Sequence, residues 1–269
     1  MTNNRIDTYR GRHRVVIDRV RPSIDDGRFP VKRVIGETVH VHADIVADGH
    51  DTVRALLRYR RDGKRRWSET PLTDQGNDRW TGSFTVDEVG FYEYDVVAWV
   101  DHFETWVSGL RKKHDAAVVE ETDLLIGAQL VTEASSRAPQ ADAALLSKPI
   151  AGLRDRTKPI DLRVGALLAP KTLARIRKYP DRSLATTFGG TLRVWVDRTR
   201  AGFSAWYELF PRSAGRGTKH GTFRDVIERL PYIAQLGFDV VYLPPIHPIG
   251  TTKRKGRNNS VVAGPNDPG

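Results

Sequence analysis

Apolar and polar positions change period twice along the chain, which divides it into three regions. From about Val15 to Val107 the period is two, the mark of strands with one face buried. Thr38 to Ile45 places Val39, Val41, Ala43 and Ile45 on one face. Thr52 to Arg60 is a second, less regular strand, followed by Arg61-Asp62-Gly63-Lys64, a turn whose glycine tolerates positive φ. Trp80 to Val86 and Phe91 to Val100 continue the pattern, the latter dense in the aromatic and β-branched residues that suit a pleated surface. Short strands between turn-rich loops predict a β-sandwich of immunoglobulin-like size, residues 1–115.

From about Ala116 to Thr187 the period becomes helical. Leu124, Ala128 and Val131 share one face, with Leu125 at its edge, and Ala141–Leu146 and Lys171–Tyr179 read as further helical pieces. Pro139, Pro149, Pro159, Pro170 and Pro180 should punctuate the helices, because a proline inside one loses a hydrogen bond and clashes with the preceding turn. Alternation then returns at Thr191–Asp197, with Leu192, Val194 and Val196 on one face. A strand after the helices predicts that residues 116–190 are an inserted helical domain and that strand 191–198 completes the first sheet.

The third region, 199–269, reads as one β-α-β unit. Ala205–Phe210 and Asp239–Leu243 are strands, and between them Val226, Ile227, Leu230, Ile233 and Ala234 form the apolar face of a helix. Thr222 is a good N-cap with Asp225 completing a capping box, Pro231 predicts a kink or two abutting helices, and Gly237 ends the run. Such a crossover implies a parallel sheet, whose ligands sit beyond the carboxyl ends of its strands. Two segments lie there: Pro211–Ala214, and the stretch after Leu243. In the second, Pro244, Pro245 and Pro248 restrict the path, Lys253, Arg254, Lys255 and Arg257 supply charge, and Asn258 and Asn259 supply amides suited to hydroxyls. That stretch suits a ligand-contacting loop, though a basic surface loop fits the same residues. His247 reads as a substrate hydrogen-bonder or as a local structural partner.

Composition narrows the chemistry. The 269 residues contain no cysteine, so thiolate and disulfide chemistry are excluded, and a cytoplasmic setting is expected. No run of eighteen apolar residues occurs and the first residues, MTNNRIDTYRGRHR, carry no apolar signal core, so no membrane association is expected. The formal charge is +10, concentrated in Arg54–Arg66 (seven basic residues, one acid) and Arg154–Arg182 (nine against three). Neither block has the glycines and aromatics of a nucleic-acid recognition module, so a basic soluble surface is the expected reading, with no nucleic-acid partner. Neither GxGxxG nor GxxxxGK[ST] is present. His40 and His42 could share a strand face, but no third ligand stands near them, so no metal is expected. Retaining glycosidic chemistry needs two carboxylates about 5–5.5 Å apart. Glu208, Asp225, Glu228, Asp239 and Asp267 offer no convincing pair: Asp225 and Glu228 read as a solvated helix surface and Glu208 as an inward structural contact. Trp67, Trp80 and Trp99 are candidates for stacking on sugars, with core packing favoured for Trp99.

Three stretches carry a resemblance. SAWYELFPRSA (Ser204–Ala214), GTFRDVIERLPYIAQLGFDVVYLPPIHPIGT (Gly221–Thr251) and KGRNNSVVAGPNDPG (Lys255–Gly269) resemble the α-1,4-glucan:maltose-1-phosphate maltosyltransferases of the α-amylase-like (β/α)8-barrel superfamily. WYELFPRS and KGRNN are the specific signals; LGFDVVYLPPI is generic to the superfamily. The resemblance implies a β-sandwich, an associated helical domain and a barrel, and a homodimer in which the N-terminal domains take part. It implies transfer of maltosyl from α-maltose 1-phosphate to the non-reducing end of an α-1,4-glucan, in α-glucan synthesis, with retention and phosphate release. An aspartate nucleophile and a glutamate acid/base would act without metal or organic cofactor. Lys255 matches the family's substrate-binding lysine, and Asn259 lies in the same motif. Both family carboxylates belong to later barrel strands, so the resemblance also implies that these residues are an N-terminal part, inactive alone. An amylase-type hydrolase or branching enzyme is the alternative, and a carbohydrate-binding or dimerisation module a third.

Overall fold

The computed structural model of the protein describes residues 13–217, 219–247 and 250–267. Contacts divide the chain into two compact units, one up to Asp197 and one from Arg198 onward.

The first unit opens with β1 (Val15–Arg21), β2 (Val31–Val34), β3 (Thr38–Ala47), β4 (Val53–Arg61), β5 (Ser68–Pro71), β6 (Thr73–Asp74), β7 (Arg79–Thr85) and β8 (Gly90–Val100). Five helices follow: α1 (His102–Asp115), α2 (Glu121–Arg137), α3 (Gln140–Arg154), α4 (Ile160–Leu168) and α5 (Pro170–Ile176). Then come β9 (Thr186–Thr187) and β10 (Leu192–Asp197). One sheet has the order β1-β3-β7-β6; the other runs β2-β10-β8-β4-β5, with β9 also on β8. The strand after the helices, β10, pairs antiparallel with β8 and parallel with β2.

The two sheets share one core. β3 alternates as its sequence requires, burying Val39, Val41, Ala43 and Ile45. Phe84 of β7 reaches across to the other sheet, stacking on Tyr59 (4.6 Å between centroids) and tilting against Tyr94 (5.7 Å). β8 departs from alternation and is buried on both faces from Tyr94 to Trp99.

Sheet character ends earlier than the sequence pattern predicts. Residues 102–107 belong to α1, because the Asp101 carboxylate accepts the Glu104 N–H (3.0 Å) and caps a helix there. The helices bury their own cluster, including Leu110, Leu124, Val131, Leu146, Leu153 and Leu167, while Leu125 stays exposed. Pro139, Pro159 and Pro170 stand at helix starts, and Pro180 follows α5, as punctuation requires. Pro149 does not punctuate: it lies inside α3.

The second unit comprises β11 (Trp206–Glu208), α6 (Phe223–Gln235) and β12 (Val240–Tyr242), the strands pairing in parallel with Tyr207 opposite Val241. The Thr222–Asp225 capping box forms, with Asp225 Oδ2 accepting the Thr222 N–H at 2.6 Å. Of the kink or two abutting helices expected at Pro231, the two separate helices do not form: α6 runs through it as one helix. The carbonyls these two interior prolines leave without an intrahelical donor belong to Leu145 and Ile227, both exposed residues, where solvent access lowers the cost of the lost bond. The predicted apolar face of α6 is only partly buried: Val226 and Ile233 are inside, whereas Ile227 and Leu230 are exposed.

Two helical glycines test the packing. A Cβ on Gly127 of α2 would overlap the Trp106 indole of α1, whereas one on Gly109 meets nothing within 4 Å. Gly109→Ala should therefore raise stability by about 0.5–1 kcal/mol through helix propensity. Gly127→Ala should lower it by about 1–3 kcal/mol through overpacking. Urea denaturation of both variants checks the opposite signs.

Candidate functional site

In the second unit the segments after both strands lie at the carboxyl ends of the parallel pair. Pro211–Ala214 forms a 3-10 turn after β11. After β12, Pro244 is buried and His247 exposed, while Pro248 lies outside the described residues. Lys255 Nζ donates to Asn259 Oδ1 at 2.9 Å, so two of the three predicted site residues meet. No hydrogen bond among the described residues ties His247 to them.

This contact depends on a tight local path. Asn258 and Asn259 both have left-handed backbones (φ 54° and 64°), a region that asparagine tolerates better than most residues. Gly256 N–H donates to the Ser260 carbonyl (3.0 Å) and Ala263 N–H to the Arg254 carbonyl (3.0 Å), folding the loop back on itself. Thr251, Lys253, Arg254 and the Val261–Pro265 stretch line an open groove beside it.

The carboxylates of this unit are mostly committed elsewhere. Asp225 caps α6, and the Thr222 hydroxyl and N–H hold its pKa below the ordinary range. Asp239 Oδ2 accepts the Ala205 N–H (3.0 Å), and Glu228 faces Arg216 at 3.5 Å. Asp267 Oδ2 accepts the Gly264 N–H (2.7 Å). Glu208 corrects an expectation: it is exposed on β11, not turned inward. It shares its strand face with Trp206, whose ring lies 6.3 Å from that of Tyr242. This arrangement can bind through an amide-anchored ammonium group, but it holds no acid–nucleophile pair. Among the described residues no group of three His, Cys, Asp or Glu is placed to hold a metal, and His40 and His42 are simply exposed on β3.

Outside this unit, the four arginines of β4 in the basic block Arg54–Arg66 pair with carboxylates on and around β8. Arg58 pairs with Asp95 (2.6 Å), Arg60 with Glu93 (2.7 Å), Arg54 with Asp101 (3.6 Å), and Arg61 with Glu88. In the second block Arg163 pairs with Glu121, Arg177 with Glu104 (2.6 Å) and Arg182 with Glu69 (3.0 Å). Of the three tryptophans, Trp80 and Trp99 are core residues, and Trp67 lies beneath the guanidinium groups of Arg58 and Arg60.

Comparison with known proteins decides the family. Residues 13–198 match the description "Alpha-1,4-glucan:maltose-1-phosphate maltosyltransferase, domain N/S". The chain belongs to that maltosyltransferase family. Among relatives bearing the name, that of Chlorobaculum tepidum is 54% identical over 260 residues, which is 96% of this chain and 38% of the relative. That of Myxococcus xanthus is 48% identical over 264 residues, 95% of this chain and 39% of the relative. In Burkholderia pseudomallei the relative is 41% identical over 259 residues, 95% of this chain and 23% of its own. The chain thus spans well under half the length of these maltosyltransferases. No helix among the described residues is long and apolar enough to cross a membrane.

Asp267 is the site feature that counting carboxylates missed. It figures there only as half of a catalytic pair, and because the Gly264 N–H it accepts lies three residues back, against the forward reach of an ordinary Asx turn, no local signal marks this role. Because the Arg58, Arg60, Arg163 and Arg177 guanidinium groups are engaged by carboxylates and neither basic block has a recognition module, the protein should not shift a 20-base-pair duplex at about 150 mM salt. An electrophoretic shift under those conditions would restore the nucleic-acid reading.

Proposed function

We propose that this chain is the N-terminal part of a maltosyltransferase that moves maltosyl from α-maltose 1-phosphate to the non-reducing end of an α-1,4-glucan, with retention and release of phosphate. The observation that carries the reading is the Lys255–Asn259 pair, standing beyond the carboxyl ends of two parallel strands in a chain of this family. Lys255 and Asn259 contact the donor, and His247 offers a further hydrogen bond on the same side of the strands. The two-sheet portion is an immunoglobulin-like sandwich interrupted by the helical block, and β11-α6-β12 begins a (β/α)8 barrel. The exposed Trp206, Glu208 and Tyr242 support the barrel, since a parallel sheet is stable only with both faces covered. The nucleophile and acid/base come from later strands, so residues 1–269 alone are inactive. The enzyme works in the cytoplasm as a homodimer through its N-terminal domains, without metal or organic cofactor.

Phosphate release tests this. The protein extended to its relatives' length should release phosphate from α-maltose 1-phosphate only when a glucan acceptor is present, and residues 1–269 alone should release none. Lys255→Ala in the extended protein should raise the donor KM about 10- to 100-fold, the worth of a hydrogen bond to a charged group. Glucan cleavage that ignores maltose 1-phosphate would instead identify an amylase-type hydrolase.

A further inference from the structure

The loop that presents Lys255 is closed by a residue with no assigned role. Asp267 lies twelve positions beyond Lys255, yet its carboxylate packs against the backbone of Gly256. A Cβ at Gly256 would overlap Asp267 Oδ2 and Ser260 Oγ, so glycine is required there for the two strands of the loop to close. The same carboxylate accepts the Gly264 N–H (2.7 Å), and the Asp267 carbonyl accepts from Arg254 Nη2 (3.2 Å). Ala263 N–H reaches the Arg254 carbonyl (3.0 Å). Both neighbours of Lys255 in the chain, Arg254 and Gly256, are therefore held from the far side of the loop.

The orientation of the carboxylate has a second effect. Lys253, Arg254, Lys255 and Arg257 crowd this loop, and Asp267 is the one acid within residues 250–267. Its oxygens face backbone donors, and the Lys255 ammonium is bonded to the neutral amide of Asn259. Lys255 is thus held by a neutral partner, and no carboxylate among the described residues offsets its charge. The Gly264 N–H, then the Arg257 N–H and the charges of Arg257 and Arg254, outweigh desolvation and hold the Asp267 carboxyl below its ordinary range, so it stays ionised at neutral pH.

We propose that Asp267 is a positioning residue for donor binding: it clasps the 254–267 loop shut through Gly256 and Gly264 and so aims Lys255 without neutralising it. The inference rests on the reading of Lys255 as a donor contact. It predicts that Asp267 acts on donor affinity and acts through Lys255.

A double-mutant cycle in the protein extended to its relatives' length tests it, with KM for α-maltose 1-phosphate, kcat and Tm measured for each form. Asp267→Ala should raise the donor KM about tenfold, the scale of one charge-assisted hydrogen bond, with kcat within about twofold. On a Lys255→Ala background the same change should add less than about twofold, because the group it positions is gone. Asp267→Asn, which keeps an oxygen for the Gly264 N–H, should recover most of the affinity, and Gly256→Ala should reproduce the loss. If Lys255→Ala raises KM and Asp267→Ala does not, or if the two effects multiply, the positioning role is overturned while the site reading survives. If Lys255→Ala leaves KM unchanged, the site reading itself fails. Should Asp267→Ala not fold, Asp267→Asn and Gly256→Ala decide, and an unchanged KM in Gly256→Ala overturns the proposal.

Discussion

The first unit is organised by the backbone of one long strand. β8 has eleven residues, and its amide and carbonyl groups need partners along both edges, since a buried unpaired group costs about 1–3 kcal/mol. β4 fills one edge from Val53 opposite Val100 to Arg61 opposite Tyr92. On the other edge the chain has already left through Asp101 into α1, so partners must come from beyond the helices. β10 covers Gly90 to Tyr94, and β9 covers Val97 and Ala98. The helical block is flanked on both sides by strands of one sheet because β8 requires it. The same strand settles the charges: Glu93 and Asp95 project from it beside Arg60 and Arg58 of β4, which share their rows in the ladder. Burying Asp95 is tolerable because Arg58 meets it with two hydrogen bonds.

The second unit obeys a different constraint. Antiparallel sheets can leave one face wet, but a parallel pair wants cover on both. Here α6 covers one face, packing Val226 and Ile233 near Tyr207 and Val241. The opposite face presents Trp206, Glu208 and Tyr242. Much of α6 is also exposed, with Ile227 at 62% and Tyr232 at 54%, although both are apolar enough to seek burial. Among the described residues these apolar surfaces on either side of the β11–β12 pair are left without cover.

What could be read from the sequence follows from how local each cause is. The alternation of β3 and the Thr222–Asp225 box depend on neighbours within a few residues, and both are visible as patterns. The start of α1 was hidden because Trp106 and Val107 suit a strand by composition, while one carboxylate, Asp101, decides for helix. Pro149 was read as punctuation and Pro231 as a kink or a junction of two helices because proline cost was applied without knowing that the residues four positions back, Leu145 and Ile227, are exposed. Lys255 and Asn259 were legible as a motif, and their four-residue spacing is also what lets the side chains meet across a left-handed turn. Asp267 was illegible in that role, since its partners lie three and eleven residues back and only the folded loop unites them.

The overall charge of +10 illustrates how little a sum says about a site. The dense basic block on β4 was expected to be a plain basic surface, and there Arg58 and Arg60 face Asp95 and Glu93 row by row, so those pairs largely cancel beyond a Debye length. The sparser cluster at Lys253–Arg257 is left in excess, because its single nearby acid is engaged by backbone N–H groups that stabilise the carboxylate. Backbone donors can hold an anion in place without a side-chain cation being spent on it. A loop built this way holds its lysine through a neutral amide and leaves the charge uncompensated, whereas a direct Lys–Asp pair would offset it.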